Sequence, residues 1–245
     1  MNVFIVGRDS LIEQMYRDEG SFTMTSELSE ADLVQFTGGS DVSPAYYHCK
    51  QHPTTSCNPS RDEEEAAIWE KCMEREVPMV GICRGGQFLN VMAGGRMFQH
   101  VDGHAIGGVH LAEDKRTGYS VKVTSTHHQM MIPSRNTDCE ILLSVKASLC
   151  SRKEYTDGEG ITYVVSNSQD IGEDIESLFY PEYGTLCFQP HPEYAAGVGC
   201  REYFFALIDR YLFNDDCKYE TWKDVTYSKL LEDVRKDKFV KDGGL

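Results

Sequence analysis

The sequence predicts an α/β protein built on a doubly wound, mostly parallel sheet with an antiparallel excursion. Three observations lead there. Up to residue 93, short apolar runs alternate with amphipathic stretches in the order β-α-β-loop-α-β-α. Some of these runs end in glycine turns, as strands feeding tight loops do. Beyond them, strand-like runs follow one another with few intervening helices, which points to antiparallel pairing.

The elements follow in order. Asn2–Gly7 reads as a buried first strand, and Ser10–Asp18 as a helix with Leu11, Ile12 and Met15 at helical spacing. A strand is expected near Phe22–Thr25, and another at Leu33–Phe36 that runs into Gly38-Gly39. Residues 40–60 hold Pro44, Pro53 and Pro59 with little periodicity, so they form a long loop. Arg61–Arg75 is a helix with a charged outer face and Ala66, Ala67, Ile68 and Cys72 inward. Met79–Ile82 is a strand and Gly85–Ala93 a helix. Further strands are expected at Tyr119–Thr124, Ile141–Ala147, Ile161–Ser166 and Thr185–Phe188, with a closing helix at Arg201–Leu212. The chain thus divides into a domain of residues 1–212 and a charged C-terminal extension, 213–245, with an amphipathic stretch around Tyr227–Val234.

A chain of 245 residues can bury a full core without staples. Its net charge of −15 argues against nucleic acid or an anionic membrane as partner, since both need a basic footprint. The acidic runs Glu63–Glu65, Glu173–Glu176 and Asp215–Asp216 are expected to be solvated faces. No apolar run approaches the ~20 residues of a membrane span, and the opening Met-Asn-Val-Phe-Ile-Val-Gly turns polar too soon for a signal peptide. A cytoplasmic protein is expected. The nine cysteines, odd in number, irregularly spaced and without a CxxC pair, fit free thiols better than disulfides or a zinc knuckle.

Four constellations carry chemistry. An apolar strand runs into Gly81-x-Cys83-x-Gly85, with a helix directly after it. This is the pattern of a nucleophile elbow, where small residues at ±2 let the chain turn sharply and push the nucleophile outward. The helix N-terminus sets free N–H groups beside the sulfur. A buried structural cysteine beside a glycine turn is the bland alternative. Gln189-Pro190-His191-Pro192-Glu193 follows a strand. Residues before proline are extended, and positions i and i+2 of an extended segment share a side, so Glu193 can orient His191. Gly38-Gly39 could offer backbone N–H groups to an oxyanion, although a plain tight turn has the same composition. Thr124-Ser-Thr-His-His-Gln129 is a polar cluster suited to an amino-acid head group. His100, His104 and His110 sit in or near a glycine-rich segment, a poor scaffold for a preformed metal site, so no metal is expected.

The order of these segments resembles the class I glutamine amidotransferase superfamily, and within it the γ-glutamyl-γ-aminobutyrate hydrolase and γ-glutamyl hydrolase branch (peptidase C26). The matching stretches are TGGSDVSPAYY, RDEEEAAIW, VPMVGICRGGQFLNVMAGG with FQHVDGH, VTSTHHQ, and IESLFYPEYGTLCFQPHPEY, over roughly residues 33–212. The resemblance implies a flavodoxin-like core and a triad of Cys83, His191 and Glu193. It implies an oxyanion hole from the N–H groups of Gly39 (or Gly38) and Arg84, and substrate contacts from Gln87, Ser125 and His127. It also implies hydrolysis of a small γ-glutamyl amide through a glutamyl thioester, without cofactor or metal. Thr37, Thr124 and Pro190 depart from the family's usual residues, and Pro190 removes a backbone donor beside the histidine. Two other readings stand beside the hydrolase: a glutaminase subunit supplying ammonia to a synthetase partner, and an inactive binding protein on the same fold. A homodimer is open in each case.

Overall fold

The computed structural model describes residues 1–166, 170–195 and 199–213. Its parallel half holds β1 (Asn2–Val6), α1 (Ser10–Glu19), β2 (Thr23–Thr25), β3 (Leu33–Phe36), α2 (Pro59–Glu74), β4 (Met79–Ile82) and α3 (Arg84–Met92). Then come β5 (Arg96–Phe98), β6 (His100–Val101), β7 (Gly108–Asp114), β8 (Ser120–Ser125), β9 (Met130–Ile132), β10 (Glu140–Val145), β11 (Lys153–Thr156) and β12 (Thr162–Val165). The described chain closes with β13 (Asp174–Tyr180), β14 (Thr185–Phe188), α4 (Cys200–Leu207) and a π-helical turn, Ile208–Leu212.

Nine strands form one mixed sheet in the order β2-β1-β3-β4-β14-β13-β10-β7-β8. Neighbours from β2 to β14 pair parallel, and those from β14 to β8 antiparallel. The expected flavodoxin-like α/β sheet with its antiparallel excursion is thus present. Alternation along the strands builds two cores. Leu33, Val80 and Ile82 pack with Ile12 and Met15 of α1 and Tyr203 to Leu207 of α4. Val34, Phe36 and Met79 pack with Phe88 and Leu89 of α3 and Cys72 of α2. Helices therefore cover both faces, as double winding requires. Asp9 caps α1, accepting from the backbone N–H groups of Leu11 and Ile12, and Gly20 ends it at φ 75°.

Several expectations need correction. On α2, Ala67 is exposed, whereas Asp62 and Glu65 are buried. In the other acidic run, Asp174 and Glu176 on β13 are fully buried. Glu63 and Glu64 are exposed, as expected, but neither buried pair belongs to a solvated face, because each meets cationic or imidazole partners inside the fold. Asp215–Asp216 lie outside the described residues. Strands β5, β6 and β9 span two or three residues, too few to show a period. Strand β13 is buried on both faces yet carries two carboxylates, which hides it from a hydropathy reading. Phe213 packs on the core beside α4. The remainder of the expected extension, 214–245, lies outside the described residues. Among the described residues, no helix is long and apolar enough to cross a membrane.

Candidate active site

The site is assembled where the parallel strands end. Strand β4 delivers Cys83 directly into α3, and Cys83 adopts φ 52° and ψ −114°, a strained conformation for a residue with a side chain. Such strain persists only where the surroundings over-determine it, and here they do. The Cys83 N–H donates to the Phe188 carbonyl at 2.7 Å, and its own carbonyl accepts from the Gln87 N–H at 3.0 Å. A Cβ on Gly81 would strike the Gly85 backbone, and one on Gly85 would strike the Phe36 carbonyl. The glycines at ±2 are therefore steric requirements of the turn. Cys83 is half-buried.

Strand β14, paired with β4 in register Phe188↔Ile82, carries the second segment to the same edge. His191 Nδ1 lies 2.6 Å from Glu193 Oε1, and Glu193 is buried. With Nδ1 engaged, the other ring nitrogen meets Cys83. Burial pulls the His191 pKa down, but the hydrogen bonds to Cys83 and Glu193 outweigh it and raise the value to about 10. The imidazole is thus held protonated at neutral pH. Two contacts fix the ring that the sequence did not announce. The Thr124 hydroxyl accepts from the His191 N–H at 2.7 Å, and Tyr194 stacks on the imidazole with centroids 4.4 Å apart. Thr124, one of the departures from the family pattern, therefore anchors the histidine strand.

Gly38 and Gly39 sit opposite. A Cβ on Gly38 would lie 3.3 Å from the His191 ring and 3.7 Å from Cys83. Arg61 donates to the Gly38 carbonyl and to the Thr37 carbonyl, each at 3.0 Å. A trans peptide sets its C=O and N–H in opposite directions, so the Gly39 N–H faces away from Arg61. Gly39 has φ 137°, and a Cβ there would strike the Arg61 guanidinium. Arg84 opens α3, so its N–H is among the helix's first, unpaired donors. Its side chain turns inward to pair with Asp62 and Glu65, and Arg61 binds Glu65 at 2.7 Å. One buried ionic network thus ties the glycine turn to the elbow.

The residues implied as substrate contacts fall differently. Gln87 is buried and donates to Gln189 Oε1 at 3.0 Å, while Gln189 Nε2 approaches Cys83 Sγ at 3.7 Å. Gln87 thus reaches the sulfur through Gln189, a residue the sequence reading had not singled out for a role. Ser125 is fully buried and donates to the His104 carbonyl at 2.8 Å. His127 is buried and stacks on His104 at 4.6 Å, and burial foremost pushes its pKa well down, so it is neutral. Ser125, the last residue of β8, and His127, past its end, are thus both packed beside His104.

A family model described as Peptidase C26 matches residues 16–149, more than half of the chain. A Mycobacterium tuberculosis protein provisionally named a glutamine amidotransferase is 39% identical over 201 residues, which is 74% of this chain and 56% of that protein. The carbamoyl phosphate synthase small chain of Thermotoga maritima is 27% identical over 147 residues, 56% of this chain and 37% of that one. The matches thus span little more than half of the first relative and about a third of the second. A solved glutamine amidotransferase from Thermotoga maritima has a TM-score of 0.52 at 14% identity, covering 92% of this chain and 93% of its own, a likeness of fold.

Proposed function

The chain belongs to the peptidase C26 family, within the class I glutamine amidotransferase-like superfamily, and on that premise we propose that it hydrolyses a γ-glutamyl amide through a thioester on Cys83. The relatives support glutamine amidotransferase-type chemistry at a C–N amide bond. The finer reading rests on one observation: the hydrogen-bonded series Cys83–His191–Glu193 at the ends of two adjacent parallel strands.

The Cys83 sulfur attacks the γ-carbonyl carbon, and the carbonyl π electrons move onto oxygen. That oxyanion accepts from the N–H groups of Gly39 and Arg84. As it collapses, the C–N bond breaks and protonated His191 passes its proton to the departing amine, leaving a glutamyl thioester. Neutral His191 then takes a proton from water, whose oxygen attacks the thioester. The C–S bond breaks, releasing glutamate and freeing the Cys83 sulfur, with His191 protonated again. Glu193 holds the imidazole in orientation throughout. Gln189, braced by Gln87, fixes the edge of the pocket beside the sulfur. The domain that performs this is residues 1–212.

A second reading, supported by the carbamoyl phosphate synthase small chain among the relatives, is a glutaminase subunit that passes ammonia to a synthetase partner. Purified full-length protein, incubated with glutamine and a panel of γ-glutamyl amines, separates the two. The hydrolase reading expects amine release without a partner and a better substrate than glutamine in the panel. It also expects a glutamine-analogue electrophile to mark Cys83 in a peptide mass map. Inertness until a synthetase is added would replace the first reading with the second, and adduct chiefly on another cysteine would remove the nucleophile.

A further inference from the structure

A second polar cluster lies behind His191, and the mechanism does not use it. His104, in the segment between β6 and β7, and Glu176, on β13, are fully buried, and the His110 side chain of β7 is only 7% exposed. One ring nitrogen each of His104 and His110 and a Glu176 carboxylate oxygen all lie within 4.8 Å of one another. His110 Nε2 is 2.8 Å and His104 Nδ1 3.5 Å from Glu176 Oε1. Ligands about 2.0–2.2 Å from a tetrahedral ion are themselves separated by roughly 3.3–3.5 Å, so one ion fits among them after small side-chain shifts.

The surroundings favour a cation here. His104 Nε2 lies 2.9 Å from Asp174 Oδ2, which fixes the ring with Nδ1 aimed into the cluster, the usual backing of a metal-bound imidazole. Asp174 is fully engaged, since Lys153 pairs with it at 2.7 Å and the Leu149 N–H and Ser148 hydroxyl donate to it. Glu176 is not. Among the described residues, its ion-pair partners are the two histidines, and its Oε2 is buried without a hydrogen bond. His104 Nδ1 and both nitrogens of the adjacent His127 are likewise buried and unpartnered by hydrogen bonds. A buried carboxylate without a fixed cation is costly, and so are unpaired donors and acceptors. A second grouping, His104, Cys150 and Asp174, would draw on oxygens that are already engaged.

We propose that His104, His110 and Glu176 form a structural site for one first-row divalent cation of zinc type. Two imidazoles and one carboxylate suit Zn2+, and the remaining position falls to water or to His127. The expectation of no metal rested on the glycine-rich segment. That argument does not reach a histidine buried and held by Asp174, nor two ligands on β-strands. The ion would tie the 102–107 segment, β7 and β13 together behind β8, whose Thr124 holds the His191 backbone.

The test uses the full-length Cys83→Ala chain, so that the active-site thiol cannot capture the ion. After chelator treatment, Zn2+ is titrated by calorimetry and Co2+ by visible absorption. The expected result is one tight equivalent, four-coordinate Co2+ bands without a thiolate charge-transfer band, and a rise in Tm on Zn2+ addition. Glu176→Gln and His110→Asn, each in that background, should weaken binding by about 100-fold or more and abolish the Tm rise. Should one variant fail to fold, the other decides. Absence of stoichiometric binding overturns the site, as does binding undiminished by the variants or carried by a thiolate band.

Discussion

Beneath the parallel half of the sheet, the buried carboxylates Asp62 and Glu65 are both answered by Arg84, and Glu65 by Arg61 as well. Behind the antiparallel half, the ion-pair partners of Glu176 among the described residues are imidazoles, and one of its oxygens and several ring nitrogens there lack hydrogen bonds. The two clusters bury similar charge on opposite terms. The first is complete within the protein and acts as a clamp, joining the Gly38-Gly39 turn to the Cys83 elbow. The second is complete only with something added. The lesson is that burial of a charge marks a functional region, while the state of its partners tells what kind: closed networks position, open ones bind.

The largest expected effect falls between the two clusters, at the pair they flank. His191→Ala should lower kcat on the best γ-glutamyl substrate by about 10⁴-fold or more, because proton transfer in both steps is lost. Glu193→Ala should cost roughly 10–100-fold less, since it orients and stabilises but transfers nothing. Steady-state kinetics on both variants checks this, and equal, small losses would place the base elsewhere.

Next comes the closed network. Arg84→Met removes the cation shared by two buried carboxylates, leaving Asp62 without its ion-pair partner and Glu65 with Arg61 alone, so urea unfolding should show a loss of about 3–5 kcal/mol. A loss below ~1 kcal/mol would mean that Asp62 and Glu65 are not the closed set described above, and the contrast with Glu176 would fall.

A further effect is read from pH. Because the folded His191 pKa is raised to about 10, above the ordinary 6.5, its contribution to stability is whole below about 6.5. It is lost as pH rises through about 10. The stability difference between the native chain and His191→Gln should therefore shrink across that window. NMR of labelled histidine should show an imidazolium at pH 8. A midpoint near 6.5 would mean that Cys83 and Glu193 do not hold the ring as their geometry indicates.

What was legible in the sequence was local. Apolar runs flanked by glycine located β1, β3, β4 and β14, and two short segments, around Cys83 and around His191, carried the residues proposed as the triad. An extended backbone before Pro192 suggested Glu193, at i+2, as the partner of His191; the two do meet, but across a turn at 192–193, with the Tyr194 N–H donating to the His191 carbonyl. Glycines at 81 and 85 announced the elbow because only a residue without a Cβ fits so close to a crossing backbone. Ser125 and His127, by contrast, were implied as substrate contacts on resemblance, and the fold turns both inward.

The sequence by itself determined the alternation of elements, the sharp turn at Cys83 and the pairing of His191 with Glu193, because each depends on residues within a few positions of one another. Tertiary structure alone decided which charges are buried and who answers them. Arg84 meets Glu65 from 19 residues away, and His104 meets Asp174 from 70. Desolvation and pairing are properties of the assembled neighbourhood, in which strands far apart in the chain share a sheet. The same Asp or Glu reads as a solvated face in one dimension and as a clamp or a cation ligand in three.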